Sequence, residues 1–139
     1  MKKGIIFGSI VIVLGLFIAL GPQFLFKVCA HGEKAYPHCH WTGQAEIGMG
    51  FLIASLGVCM MVFTDPKTHL GLAIGVFLAG FIALFIPNVL IGGCGMMTMQ
   101  CRKVAFPALT VESVILLIFS AIMVTIIEMK KPQKVTVTF

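Results

Sequence analysis

Four cysteines between the apolar stretches of the chain are the first residues whose spacing predicts chemistry. Cys29 lies a short loop away from Cys39, and Cys94 lies a shorter loop away from Cys101. Neither spacing is the Cys-x-x-Cys of a redox-active dithiol, and loops of this size close readily as structural disulfides. The spacing therefore favours two structural disulfides. A membrane thiol-disulfide or electron-transfer component that uses the same pairs is the alternative interpretation.

Imidazole and thioether groups cluster around these cysteines. They are His31, His38 and His40 near the first pair, and Met96, Met97 and Met99 within the second. Imidazole, thiolate and thioether ligands suit copper(I), and imidazole also suits iron or haem. Against this, methionines in a loop at a membrane surface commonly make apolar contacts, and the histidines lack a standard metal spacing. A copper, iron or haem site is therefore an alternative and not the leading interpretation.

Two carboxylates interrupt otherwise apolar stretches of the sequence. Glu46 and Glu112 each lie near the start of such a stretch. A carboxylate within a membrane span is costly unless it is paired or protonated, which makes each of them a functional candidate. The alternative is an interfacial position near a helix N-terminus, satisfied by backbone N–H groups, Arg102 or Lys103. Both interpretations are open from the sequence.

The composition determines which elements must position these residues. Of 139 residues, 59% are hydrophobic and 11% are charged, which excludes a soluble globular enzyme and a nucleic-acid-binding protein despite the net charge of +5. Spanning a bilayer as a helix requires about 20 apolar residues. Four stretches qualify, at about 4–26, 45–63, 70–91 and 107–127. The sequence predicts an all-α integral membrane four-helix bundle, a single domain over 1–139.

The remaining segments are the connections and the tail. The predicted outer loops are 27–44 and 92–106, a tight turn surrounds Asp65, Pro66 and Lys67, and the tail is 128–139. Six of the ten basic residues fall on the side of the termini and the tight turn: Lys2, Lys3, Lys67, Lys130, Lys131 and Lys134. The positive-inside rule then places both termini in the cytoplasm and the long loops outside the cytoplasmic membrane. The oxidising outer side would permit disulfides.

The two halves of the chain resemble each other. The motif Phe-Ile-Ala-Leu at 17–20 recurs at 81–84, and a proline, a cysteine and a glutamate follow each copy at offsets of 64 to 66 positions. We expect a tandem duplication of a two-helix unit, with each unit carrying one disulfide-containing outer loop. Small residues recur every four positions in the third stretch, at Gly71, Gly75, Ala79 and Ala83. Such a stripe predicts close helix packing within the bundle.

Three short motifs resemble a family of small bacterial and archaeal membrane proteins known as domain of unknown function 4418. They are Cys-His-Trp-Thr-Gly-Gln-Ala-Glu-Ile-Gly at 39–48, Met-Gln-Cys-Arg at 99–102 and Pro-Ala-Leu at 107–109. The resemblance covers most of the chain. It implies a four-span membrane protein that is often encoded near ABC transporters with permeases of the macrolide-exporter type, and sometimes near metal-uptake or redox genes. It implies no catalytic residue.

The leading functional expectation is a non-enzymatic accessory or interaction subunit of a membrane complex. The chain has no Gly-rich phosphate loop, no Ser/His/Asp set and no paired acidic motif for magnesium. Its partners are then the lipid bilayer and a membrane protein, for which an ABC-type permease is the candidate.

Overall fold

A computed structural model describes residues 2–21, 24, 37–91 and 101–129, and almost all of them are helical. The helices are α1 (Lys2–Leu20), α2 (Pro37–Val62), α3 (Pro66–Phe85) and α4 (Phe106–Met129). Within those ranges no residue forms a β-strand. The predicted all-α class is therefore confirmed.

Helix α2 begins earlier than the apolar stretch that predicts it. It starts at Pro37, so that residues 37–44, which were expected in an outer loop, are helical. Hydropathy marks only where a helix becomes apolar, and the first two turns of α2 carry His38, His40 and Gln44. Proline suits the first position of a helix because its φ angle is already helical and its missing N–H would have no partner there. These polar turns are therefore part of the helix, although a hydropathy-based prediction assigns them to a loop.

A short connection joins α2 to α3 and makes the two helices antiparallel neighbours. Only Phe63–Asp65 lie between them. The backbone of Phe63 still donates to the Cys59 carbonyl (2.9 Å), and His69 N–H donates to the Asp65 carbonyl (3.0 Å). Pro66 occupies the first turn of α3, so the helix starts there and not near residue 70 as predicted.

Wider π-helical turns adjoin the ends of α3 and α4 that lie away from the α2–α3 connection and the tail. Residues Ile86–Leu90 continue α3 as π-helix, and Cys101–Ala105 lead into α4 in the same form. Pro87 accounts for the first of these, because proline cannot donate an i→i−4 hydrogen bond and its ring clashes with the preceding turn. The Asn88 side chain donates to the Leu84 carbonyl at 2.8 Å and so satisfies an acceptor at this irregularity.

Three described helical segments have the length and apolar character needed to cross a membrane. They are Trp41–Val62, Pro66–Leu90 and Lys103–Met129. The first helix contributes a shorter apolar segment, Gly4–Leu20, within the described residues. The structure thus supports a multi-pass membrane protein.

The four helices pack as two pairs around a common core. Helix α1 packs mainly on α2 and α3 mainly on α4, whereas α2 with α3 and α1 with α4 form lighter contacts. The two members of each pair are therefore adjacent, and α2 and α4 lie diagonally across the bundle. Apolar side chains from all four helices form the buried core: Val11, Ile18, Ile53, Met60, Ala73, Val76, Ala79, Leu116 and Met123.

Glycines allow the backbones of α1 and α2 to approach closely. A Cβ atom added to Gly15 would lie 2.7 Å from the backbone nitrogen of Ala54, and one added to Gly50 would lie 2.6 Å from the Gly15 carbonyl oxygen. Gly8 and Gly57 face each other in the same way. They lie about two helical turns nearer the α2–α3 connection. Small residues at such crossings let helices pack at short distance.

The predicted small-residue stripe of α3 has a mixed environment. Ala79 and Ala83 are buried. Gly71 has no atom near the position of a Cβ, and Gly75 meets only the Leu56 side chain at ordinary contact distance. Among the described glycines, the close contacts with the backbone of another helix therefore lie between α1 and α2, and not along Gly71 and Gly75.

Candidate intramembrane carboxylate site

Glu46 lies on the buried face of α2. Thr42, Glu46, Gly50 and Ile53 recur at helical spacing and are all buried, with Glu46 itself 0% exposed. Gly50 lies one turn further along, where α1 and α2 are closest. The same sequence period that buries the apolar side chains of α2 therefore carries a carboxyl group into the interior.

The carboxyl group of Glu46 has no hydrogen-bond partner among the described residues. Both Oε1 and Oε2 are buried and unpaired. An ionised carboxylate without a partner in such a place costs several kcal/mol, whereas the neutral acid costs far less. Buried polar groups are satisfied in most proteins, so this group is an exception that points to function.

The position of Glu46 along α2 excludes the simplest structural explanation. It follows Pro37, the first residue of the helix, by nine residues, which is about 14 Å along the axis. The helix dipole and the free N–H groups stabilise an anion only within the first turn. The free N–H groups at the start of α2 therefore lie too far from this carboxylate to satisfy it, because α2 starts so much earlier than its apolar stretch. The alternative that Arg102 pairs with it stays a prediction.

Glu112 lies on α4 at the wall of an open groove. The groove lies between α1 and α4, where the contact between helices is light, and has a volume of about 550 Å³. The residues that line it are Leu14, Phe17, Pro107, Ala108, Val111, Glu112 and Ile115. Among the described residues that line the groove, Glu112 is the only ionisable one, so this part of the groove is an apolar surface with one carboxylate.

The two carboxyl groups are near enough to interact electrostatically. Repulsion between Glu46 and Glu112 acts across the diagonal of the bundle, from α2 to α4. Their environments differ, because Glu46 is enclosed and Glu112 is only partly buried. The corresponding positions of the two halves of the chain are therefore not equivalent in the folded protein.

A buried hydroxyl group follows Glu112 directly in the sequence of α4. Ser113 is 1% exposed, and its Oγ has no hydrogen-bond partner among the described residues. Ser120, two turns along the same face, donates instead to the Ala73 carbonyl at 2.8 Å. Near the end of α3, Asn88 donates to the Thr110 hydroxyl at 3.4 Å. Among the described residues, the buried side chains without a hydrogen-bond partner are therefore Glu46 on α2 and Ser113 on α4.

Most of the cysteine, histidine and methionine predictions fall outside the described residues. Cys29, His31, Cys94, Met96, Met97 and Met99 lie there. His38, Cys39 and His40 belong to the first turn of α2, and Cys101 and Arg102 to the π-helical turn before α4, but their side chains are not described. The described residues contain no cluster of metal-ligating side chains. The two disulfides and the metal site therefore stay predictions.

Sequence reasoning missed two parts of this region. It did not single out Ser113, although the residue follows Glu112 directly. It also missed Gly15 and Gly50, which set the distance between α1 and α2 beside Glu46. The recurrence of glycine at 8 and 15, and again at 50 and 57, is the signal that could have revealed this crossing.

A comparison with protein families identifies the chain. The family model described as a domain of unknown function, DUF4418, matches residues 11–126. The chain belongs to this family. The match covers all of α2 and α3 and both carboxylates, so the candidate site is part of the DUF4418 domain and not an appendage to it. Neither a curated protein nor a solved structure matches the chain.

Proposed function

We propose that this DUF4418 chain is a non-enzymatic subunit of a membrane complex, and that a transmembrane helix of its partner binds in the groove between α1 and α4. The chain then crosses the membrane four times, with both termini in the cytoplasm. The observation that carries the proposal is Glu112, a carboxylate on the wall of an otherwise apolar groove at the bundle surface.

The chemistry of the groove favours a particular occupant. Lipid chains can cover Leu14, Phe17 and Ile115, but they offer no hydrogen-bond donor or cation to Glu112. Ionisable residues within membrane spans usually pair with one another or with polar groups. A partner helix with small and apolar residues and one lysine or arginine at the depth of Glu112 would satisfy both the surface and the charge.

The first partner class to test is the ABC-type permease that the sequence resemblance implies. A subunit of this kind needs no catalytic residues, and its contribution to the complex is the binding surface itself. Transmembrane helices associate through packing and interhelical hydrogen bonds, because the membrane provides no hydrophobic driving force between them. A groove with one carboxylate offers both kinds of interaction.

Photocrosslinking in native membranes tests this proposal. Val111 lines the groove and is 58% exposed, whereas Val58 of α2 is 49% exposed and lies outside the lining. A photoreactive residue at Val111 should crosslink to a partner transmembrane helix that carries a basic residue. The same residue at Val58 should give at least tenfold less of that product.

Charge exchange then tests the pairing. Glu112→Lys should reduce the Val111 crosslink at least tenfold, and replacing the partner's basic residue with glutamate should restore it. Glu128→Gln, at the other end of α4, should leave the crosslink unchanged. Crosslinks from Val111 to lipid alone, or to a second copy of this chain, would refute the proposal.

A further inference from the structure

Glu46 is a carboxyl group that the proposed partner interaction does not use. It is fully enclosed between the helices, neither of its oxygens has a partner among the described residues, and it does not line the groove. A buried carboxyl group with no hydrogen bond among the described residues could be replaced by an apolar residue of similar volume at little cost to folding. Its presence therefore calls for a chemical role.

Most of the described charged groups on the neighbouring helices lie far from Glu46, at one end of the bundle or the other. Helix α1 carries charges only at Lys2 and Lys3, at the end of the bundle where Gly4 lies against His69. On α3, Lys67 and His69 are at this same distant end. Helix α4 carries Glu112, with Lys103 exposed before it and Glu128 at its far end; the Arg102 side chain is not described. Among the charged groups that the structure describes, Glu112 is the one that repels the Glu46 carboxylate.

Two carboxyl groups that repel each other in a medium of low dielectric constant do not both ionise readily. Glu112 reaches the groove, where water, lipid headgroups or a cationic partner can stabilise its charge. Glu46 has no such contact, and the unpaired Ser113 hydroxyl on the opposite helix adds a polar group to the same interior. The lower-cost arrangement places the charge on Glu112 and the proton on Glu46.

We propose that Glu46 is a proton-binding site inside the bundle, and that Glu112 and the groove between α1 and α4 connect it to the surface. The proton on Glu46 exchanges through Glu112, which is both its electrostatic neighbour and the carboxylate that opens to the outside. This site would let the subunit respond to proton concentration. It does not require a partner, because it depends on the burial of Glu46 and not on an occupant of the groove.

A membrane-soluble carbodiimide tests the proposal, because it reacts with protonated carboxyl groups in apolar surroundings. The acid adds across one C=N bond: the carboxyl oxygen bonds to the central carbon and the proton moves to nitrogen. Acyl transfer to nitrogen then gives a stable acylurea, and nothing leaves. In the intact chain in liposomes, mass spectrometry should locate this adduct on Glu46. Glu46→Gln should reduce the adduct at this position at least tenfold.

The neighbouring carboxylate provides a readout that a purely structural role would not change. Labelling of Glu46 should decrease as the pH rises, because the reagent requires the protonated acid. In Glu112→Gln the repulsion is absent, so Glu46 ionises more readily and its labelling should be lost at a pH lower by about one unit. In Glu128→Gln the pH profile should stay that of the unaltered chain.

Three results would overturn the proposal. One is a Glu46 that stays unlabelled at every pH while a control membrane carboxyl group in the same liposomes reacts. Another is a pH profile that Glu112→Gln leaves unchanged. The third is protection of Glu46 by sodium or potassium ions at constant pH, which would assign the site to a metal cation. Because no partner is present in these liposomes, the outcome is independent of the crosslinking experiment.

Discussion

Among single residues, Glu46 is the most unusual, because its carboxyl group is buried with no hydrogen-bond partner among the described residues. Glu46 lies on the buried face of α2, one turn from the close-packed Gly50 and on the same face as Ile53. Proteins tolerate such a group where function requires it, at a cost to stability. Replacing it should therefore separate stability from function.

Glu46→Leu should leave the fold as stable as before or stabilise it by about 1–2 kcal/mol, because it removes an unsatisfied polar group and keeps a similar volume. Ile53→Ala, on the same buried face, should destabilise the bundle by about 2–4 kcal/mol through the cavity it leaves. Unfolding of the three proteins in one detergent measures both effects. A Glu46→Leu variant that is as unstable as Ile53→Ala would show that the carboxyl group is structural.

At the scale of the elements, the α1–α2 pair depends on a close approach of two helices. Gly50 faces the backbone of α1 at Gly15 and Ala19, whereas Gly48, half a turn away on α2, is exposed and has no neighbouring atom. The two glycines therefore lie on the same helix, but an added side chain would contact the α1 backbone only at Gly50. This difference offers a matched pair of variants.

Gly50→Ala should destabilise the protein by about 1–3 kcal/mol, because the added methyl group would collide with the α1 backbone and force the helices apart. Gly48→Ala should be neutral or stabilising by up to about 1 kcal/mol, since alanine favours the helix and meets nothing. Thermal unfolding of both variants in the same lipid mixture measures the difference. Equal stabilities would contradict the observed crossing of α1 and α2.

At the scale of the whole molecule, the predicted topology and the predicted disulfides can be tested together. Both long loops are expected on the outer side, with four of the five cysteines in or beside them. Cys59 lies in the last turn of α2, just before the α2–α3 connection, and is a free thiol. Two properties of the chain, its orientation and its oxidation state, thus predict one labelling pattern.

A membrane-impermeant maleimide should not modify the native cysteines in intact cells, because four are oxidised and Cys59 is inaccessible. After an impermeant reductant, four maleimides should be added, at Cys29, Cys39, Cys94 and Cys101. Thr138→Cys, in the tail, should react only after the cells are permeabilised. Labelling of Thr138→Cys in intact cells would reverse the orientation, and labelling of the loop cysteines before reduction would exclude the disulfides.

The described residues show where sequence reasoning succeeds and where it stops. Apolar stretches of about 20 residues identify α2, α3 and α4, because a membrane demands continuous helical hydrogen bonding and an apolar surface. The start of α2 was not predicted, because its first turns are polar and only Pro37 indicates where the helix begins. The π-helical turn at Pro87 was not predicted either, because a proline signals an interruption without specifying its form.

The class of protein, the family motifs and the two carboxylates that interrupt apolar helices can all be identified in the amino-acid sequence. These properties follow from composition and from the cost of charge in an apolar medium, which act on each segment separately. The enclosure of Glu46 and the opening of Glu112 onto a groove depend instead on how the helices pack. Burial depends on how α1 and α4 pack around each helix, and that packing arises from contacts between segments that no single stretch of sequence contains.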